Sequence, residues 1–163
     1  MLIGPGEPAQ VLHRDSGNWP FEIKPQWPDA PEITVSMMLA LDDVSEVLGA
    51  TRVIRGSHRR KDHNREGSPD ETIAAEPPSG SAMIYSGHVM HGGGAIQTED
   101  KRRLAKHLSM VVGWLTPEEA SAVKYSQDDV ENMSNRARRL LRFSSYSPTA
   151  SPNRLWLTDF EPL

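Results

Sequence analysis

The residues with the clearest chemical potential are those that can bind a metal ion together. His13 and Asp15 are separated by one residue, and on an extended strand side chains at that spacing leave the same face. A third candidate, His91, follows a short apolar segment and precedes three glycines. Two histidines and one carboxylate leave the other positions of a bound ion open, which is the ligand set of facial non-haem Fe(II) centres. The spacing therefore predicts a metal site at these residues.

The composition limits metal binding to histidine and carboxylate ligands. No cysteine occurs among the 163 residues, which excludes thiolate metal sites, disulfides and thiol nucleophiles. Six histidines are present, and His88 is an alternative to His91 because it lies only three residues earlier. The glycines that follow His91 favour His91, but the residues alone leave both open.

Composition and charge also exclude several classes of protein. Hydrophobic residues make up 37% and charged residues 25% of the chain, as in ordinary globular domains. A net charge of -4 gives no excess of cations to meet phosphates, so we expect no nucleic-acid partner. No run approaches the roughly 18 apolar residues of a membrane span, and the first residues do not resemble a signal peptide. We expect a cytoplasmic protein with no membrane partner.

The elements that must position these residues are mainly strands. Short apolar or β-branched runs bounded by turn residues occupy residues 8–13, 33–41, 51–54, 81–85 and 104–114. Short strands at close spacing indicate a sandwich, barrel or jelly roll. The pattern becomes helical later, with helix starts at Thr116 and Ser126 and one apolar helical face along residues 130–141.

These patterns predict a single domain over residues 1–163. We expect a β core over residues 1–115 and a helical C-terminal extension over residues 116–163. Within the extension, residues 144–152 are rich in Ser and Pro and are expected to be irregular. Residues 155–157 are expected to dock on the core as a terminal apolar segment.

Four motifs in a fixed order carry a resemblance to a known family. They are His13-x-Asp15, the run Gly-Ala-Thr-Arg-Val-Ile-Arg-Gly-Ser-His at 49–58, the run Gly-His-Val-Met-His-Gly-Gly-Gly at 87–94, and Arg103. Together they resemble the phytanoyl-CoA dioxygenase family, and the resemblance covers residues 7–120. Gln10 and Thr51 further resemble the fungal natural-product branch of that family.

The resemblance implies a fold and a set of metal ligands. The expected fold is mainly β, a double-stranded β-helix (a cupin-like jelly roll) followed by C-terminal helices. Carried over by residue, His13, Asp15 and His91 would bind Fe(II) inside one mouth of this fold. Only twelve residues precede His13, so the resemblance also implies that this chain lacks the N-terminal region of the family.

The resemblance also implies a site for the cosubstrate 2-oxoglutarate, with O2 as the second cosubstrate. Arg103 would bind the far carboxylate, since a guanidinium offers the two-point contact that an ammonium cannot. Gln10 and Thr51 would assist in binding this cosubstrate. Arg102 is an alternative to Arg103; on a strand the two side chains point to opposite faces, so only one of them can enter the pocket. The family motif favours Arg103.

The function implied by the resemblance is that of an Fe(II)- and 2-oxoglutarate-dependent dioxygenase. It would hydroxylate, desaturate or rearrange a small, apolar, natural-product-like substrate. The alternative is a catalytically incomplete homologue that acts as a metal-binding or partner subunit of a dimeric oxygenase. Because an incomplete β-helix would leave sheet edges open, we expect a homodimer or a heterodimer.

Overall fold

The computed structural model describes residues 1–144. The predicted docking segment at 155–157, and all but the first residue of the predicted irregular stretch at 144–152, lie outside this range. The chain divides into two compact units, Met1–Ser109 and a second unit that begins at Met110. The organisation predicted from the sequence, one domain with a β core over residues 1–115 and a helical extension over residues 116–163, stays a prediction. Among residues 1–144, no helix has the length and apolar character needed to cross a bilayer.

Antiparallel strands dominate the first unit. The described residues form β1 (Leu2–Ile3), β2 (Thr34–Ala40), β3 (Thr51–Val53), β4 (Ile73–Ala75), β5 (Ala82–Ser86), β6 (His91–Gly93) and β7 (Arg103–Val111). One sheet has the strand order β1-β7-β2-β5, and the other has the order β4-β3-β6. The prediction of a mainly β chain is confirmed, and four of the five predicted strands are present with ends shifted by a few residues.

Strand β2 shows how the larger sheet acquires one buried face. Every second residue of the strand is buried, namely Thr34, Ser36, Met38 and Ala40. The residues between them are more exposed, as the period-two alternation of a strand requires. Antiparallel pairing with β5 places Tyr85 opposite Ser36, and directly opposed residues lie on the same face. The inward face of the sheet therefore carries polar groups at its centre.

The strand predicted at residues 8–13 is reduced to a single bridge. His13 donates its N–H to the carbonyl of His91 at 2.8 Å and accepts the N–H of His91 at 2.9 Å. Pro8 has no N–H to offer a ladder, and a 3-10 helix over Asp15–Asn18 begins just after the bridge, followed by α1 (Pro20–Ile23). The prediction of a regular strand here was wrong, although the segment does lie beside β6.

The glycines after His91 allow β6 to approach two other segments closely. A Cβ on Gly94 would lie 2.7 Å from the carbonyl oxygen of Ala50, and one on Gly93 would lie 3.1 Å from Oε1 of Gln10. The first of these contacts is shorter than any side chain tolerates without a shift of backbone. The run of glycines is therefore a packing requirement, because Gly94 passes close to the backbone of Ala50 and Gly93 lies against the side chain of Gln10.

Three short helices lie in the described part of the second unit, α2 (Ser121–Lys124), α3 (Gln127–Glu131) and α4 (Asn135–Leu140). The helix start predicted at residue 116 was wrong, since Ser121 N–H bonds the carbonyl of Glu119 at 3.0 Å in a turn too tight for a helix. The start at Ser126 is confirmed by a capping box. Ser134 caps a new helix through the N–H of Ala137, which divides the apolar face at 130–141 between α3 and α4.

Arg14, between the two candidate ligands, ties three loop segments of the first unit together. Its guanidinium donates to the carbonyl oxygens of His88 at 3.0 Å, His63 at 3.2 Å and Ser57 at 3.2 Å. The guanidinium also lies 5.1 Å from the ring of Trp27. Burial, together with the charge of a nearby arginine, lowers the pKa of Arg14. The side chain is therefore a structural crosslink, with each of its three guanidinium nitrogens bonded to a backbone carbonyl.

We predict that Arg14→Met destabilises the fold by at least about 2 kcal/mol, since leaving buried acceptors unsatisfied costs about 1–3 kcal/mol each. Urea denaturation of the metal-free protein measures the free energy of unfolding. Arg59→Met is the matched control, because Arg59 is exposed and its loss should change stability by no more than about 0.5 kcal/mol. Equal midpoints for the two variants would contradict the crosslinking role of Arg14.

Candidate metal centre

The structure brings His13, Asp15 and His91 together. Oδ1 of Asp15 lies 3.6 Å from Nε2 of His13 and 3.5 Å from Nε2 of His91. One ligand atom from each residue lies within 4.8 Å of the other two. The reciprocal backbone bonds between His13 and His91 hold the two imidazoles side by side, with ring centroids 4.6 Å apart. This arrangement can coordinate one ion through three protein atoms.

The hydrogen bonds of the two imidazoles turn Nε2 of each ring toward Asp15. Nδ1 of His13 lies 2.8 Å from the carbonyl of Val11, and Nδ1 of His91 lies 3.0 Å from the carbonyl of Val89. A carbonyl only accepts, so each Nδ1 carries the proton of the neutral ring. Nε2 of each ring is then a lone-pair donor facing Asp15. Such a bond on the second nitrogen is how proteins orient metal-binding histidines.

The electrostatics favour the protonation states that bind metals. Burial acts to raise the pKa of Asp15, but the polar contacts of His13 and Ser36 and the charge of His91 outweigh it and lower that pKa. Burial lowers the pKa of His91. At neutral pH the carboxyl group is therefore ionised and the His91 imidazole is neutral, as metal coordination requires.

His88, the alternative third ligand, has both ring nitrogens engaged elsewhere. Its Nε2 donates to the carbonyl of Pro31 at 3.1 Å, and its Nδ1 accepts from the hydroxyl of Ser16 at 2.9 Å. The ring is buried and meets the edge of Trp27 at 5.4 Å. His88 thus anchors two loops, whereas His91 presents a free nitrogen to Asp15.

A cavity of about 100 Å³ opens at the three candidate ligands. Besides them it is lined by Met1, Gln10, Met38, Thr51, Tyr85, Gly93 and His107. A small adjoining cavity shares Met38 and Thr51 with it and reaches Arg103. The two cavities are neighbours that share Met38 and Thr51 as lining residues, and together we call them the path from the candidate ligands to this arginine.

Arg103 is a buried cation, and its pKa carries no contribution from an anionic group among residues 1–144. It is 1% exposed, burial lowers its pKa, and its Nε has no hydrogen-bond partner among the described residues. An unpaired buried charge is costly, so its presence points to an anionic group supplied from outside residues 1–144. Arg102, the alternative, is exposed and lines neither of these two cavities.

Gln10 and Thr51 lie where the resemblance implied a role toward a cosubstrate. Oε1 of Gln10 accepts the N–H of Gly93 at 2.9 Å, which orients the amide and leaves its NH2 group as a donor. Thr51 is 5% exposed and lines both small cavities. Each residue can therefore offer a polar contact to an anion between the candidate ligands and Arg103.

The sequence did not single out Ser36 as a site residue. The hydroxyl of Ser36 lies 2.7 Å from Oδ2 of Asp15. The sequence feature that could have identified Ser36 is a serine on the buried face of a largely apolar strand. The hydroxyl of Tyr85 lies 3.3 Å from Nε2 of His107, and the Tyr85 ring meets the edge of His91 at 4.6 Å. These side chains form the polar wall behind the candidate ligands.

Comparison with known proteins identifies the relatives of this chain. The profile described as phytanoyl-CoA dioxygenase (PhyH) matches residues 2–104. The dioxygenase FUM3 of Gibberella moniliformis is 37% identical over 164 residues, which cover 99% of this chain and 52% of that protein. The Fe(II)/2-oxoglutarate-dependent dioxygenase nvfF of Aspergillus novofumigatus is 36% identical over 143 residues, covering 86% and 46%. This chain therefore spans about half the length of these fungal relatives.

A solved structure supports the fold. AviO1 from Streptomyces viridochromogenes Tue57 superposes with a TM-score of 0.53 at 18% identity, over 72% of this chain and 50% of that one. At this identity the likeness concerns the fold alone. Together with the two antiparallel sheets, it confirms the predicted cupin-like double-stranded β-helix.

We predict that one Fe(II) binds per chain and that His91→Ala abolishes this binding, because it removes one of three ligands. Anaerobic isothermal titration measures the stoichiometry and affinity. His88→Gln is the control, since it removes a histidine whose nitrogens are engaged elsewhere; it should lower the melting temperature but retain one bound ion. Comparable losses of iron from both variants would contradict the assignment of His91.

We also predict a pH dependence for the stability of the metal-free protein. The folded pKa of His91 is below its ordinary value of 6.5, so below that pH the unfolded chain binds a proton that the folded chain excludes. The free energy of unfolding should therefore fall as the pH drops below about 6.5. Urea midpoints measured with a chelator between about pH 7 and 5.5 test this. His91→Asn should flatten the slope, and an unchanged slope would contradict the prediction.

Proposed function

The chain belongs to the phytanoyl-CoA dioxygenase family, and from this premise we propose that it is the catalytic core of an Fe(II)- and 2-oxoglutarate-dependent dioxygenase. The observation that carries the proposal is the buried Arg103, unpaired at its Nε, at the far end of the path that begins at His13, Asp15 and His91. A dianion with a carboxylate at each end matches the two ends of this path.

The donor set fits Fe(II). Two neutral imidazoles and one carboxylate supply a single negative charge, and imidazole and carboxylate are the ligands of non-haem Fe(II) oxygenases. With 2-oxoglutarate and O2, the bound iron would supply the oxidising power that no side chain of this protein has. Asp15 stays ionised because of its lowered pKa, and the Nδ1 hydrogen bonds keep both histidines in the tautomer that can offer Nε2 to a metal ion.

The remaining residues would bind and orient 2-oxoglutarate. Arg103 would make a two-point, charge-assisted contact with the far carboxylate, in a site withdrawn from water. Thr51 lies between Arg103 and the candidate ligands, and the NH2 group of Gln10 would donate to the cosubstrate near the metal. These contacts would fix one orientation of the cosubstrate, because the carboxylate far from the metal would bind the guanidinium of Arg103 and the other end would lie at the candidate ligands.

The substrate would approach from a larger, open cavity. This cavity has a volume of about 740 Å³ and shares Gln10 and His13 with the metal cavity, and its size suits a small organic molecule. Its apolar wall is formed by Val11, Leu12 and Met90. We infer a small, largely apolar, natural-product-like substrate that is oxidised at a C–H bond, by hydroxylation, desaturation or rearrangement.

We predict that Arg103→Met abolishes 2-oxoglutarate binding but not iron binding. Removing one partner of a buried charge pair costs about 2–5 kcal/mol, which is on the order of 30- to several-thousand-fold in affinity. The measurement is the weak visible charge-transfer band that forms when 2-oxoglutarate chelates Fe(II), together with succinate release. In the metal-free protein, Arg103→Met should not lower the melting temperature, since an unpaired buried charge is replaced by an apolar side chain of similar length.

Arg102→Met is the matched control and should keep both the band and succinate release, because Arg102 is exposed. A loss of the band in both variants, or in neither, would contradict the assignment of Arg103. If the wild-type chain gives neither band nor succinate, the dioxygenase proposal fails. The metal-binding or partner subunit of a dimeric oxygenase, which stays a prediction from the sequence, then becomes the better description.

A further inference from the structure

Ser36 is a polar residue at the centre of a buried strand face. It is 0% exposed, and its inward neighbours on β2 include Thr34 at 1% and Met38 at 8% exposure. A hydroxyl withdrawn from water needs a partner, because burial without one costs free energy. The partner of Ser36 is Asp15, whose Oδ2 lies 2.7 Å from the hydroxyl oxygen.

The direction of the hydrogen bonds around Ser36 follows from the number of its protons. The hydroxyl carries one hydrogen, and an ionised carboxylate only accepts, so Ser36 donates to Asp15. The hydroxyl of Ser109 on β7 lies 3.2 Å from that of Ser36 and therefore acts as the donor to it. A chain of two hydroxyl groups thus runs from β7 through β2 to the carboxylate.

The hydrogen bonds of these two hydroxyl groups make the two oxygens of Asp15 different. Oδ1 faces Nε2 of His13 and Nε2 of His91, whereas Oδ2 accepts from Ser36. The terminal torsion of an aspartate has a broad energy profile, so the carboxylate has little intrinsic preference for this orientation. A short O–H···O⁻ bond is among the stronger hydrogen bonds in proteins, and here it opposes rotation of the group.

We propose that Ser36 is a positioning residue that presents Oδ1 of Asp15 to a bound metal ion and withholds Oδ2 from it. The inference rests on the proposed metal-binding function and concerns how many carboxylate oxygens of Asp15 coordinate the ion. Carboxylates bind metal ions through one oxygen or through both. With Oδ2 held by Ser36, Asp15 occupies one coordination position, and the positions needed by a chelating cosubstrate and by O2 stay available.

Co(II) provides the test, because its visible absorption weakens as its coordination number rises and requires no turnover. We expect Ser36→Ala to weaken Co(II) binding about 10- to 100-fold, the usual effect of losing a hydrogen bond to a metal ligand, and to weaken the visible band of the bound ion. Thr34→Val is the matched control. It removes a hydroxyl at similar depth on the same strand, and this hydroxyl has no hydrogen-bond partner among residues 1–144.

Each outcome separates this inference from the proposed function. If wild type binds Co(II) and Ser36→Ala matches it in affinity and spectrum, the role of Ser36 is overturned while the metal centre stands. Equal changes in Thr34→Val would overturn it too, since they would indicate a general packing effect. If wild type binds no Co(II), the proposed metal centre itself fails, and the inference with it.

Ser109→Ala provides a second test in case Ser36→Ala does not fold. Ser109 is exposed, so its truncation should leave the fold intact. It removes only the hydrogen bond from Ser109 to Ser36. We expect a loss of Co(II) affinity of less than about tenfold, in the same direction, with a measurable weakening of the band. An unchanged spectrum in a folded Ser109→Ala protein would overturn the proposal.

Discussion

The reciprocal pair of backbone hydrogen bonds between His13 and His91 is the constraint on which the site depends. At 2.8 and 2.9 Å, these two bonds join segments that are far apart in sequence and set their imidazoles next to each other. Everything else at the site has to accommodate this bridge. The glycines that follow His91 leave room beside β6 for Gln10 and for the backbone of Ala50, and the guanidinium of Arg14 bonds the carbonyls of His88 and Ser57 in neighbouring loops.

The sequence predicted the ligand types and most strands, because both depend on local patterns. The spacing of His13 and Asp15 and the alternation along β2 are visible without a structure. The preference for His91 over His88 as the proposed third ligand rests on information that no spacing contains, since both ring nitrogens of His88 are bonded, to Pro31 and to Ser16. The same holds for Ser36, whose importance depends on which side chain lies across the fold.

The predictions that were wrong share one physical cause. The residues before His13 have the composition of a strand but make a single bridge, because Pro8 and the 3-10 helix at Asp15–Asn18 limit the ladder on both sides. The helix start at residue 116 failed because a tight turn at Glu119 and Ser121 intervenes. Local signals report what a segment can form, and the neighbouring turns determine where it begins and ends.

The distribution of charge in the first unit connects the two ends of the proposed cosubstrate site. Asp15 supplies the one negative charge among the candidate ligands, so a divalent ion held there would retain net positive charge. Arg103 adds a second buried positive charge that no described side chain balances at its Nε. A ligand with one negative group would relieve only one end of this path. A dicarboxylate would neutralise both ends at once, and we therefore propose Arg103 and the candidate ligands as two halves of a single site.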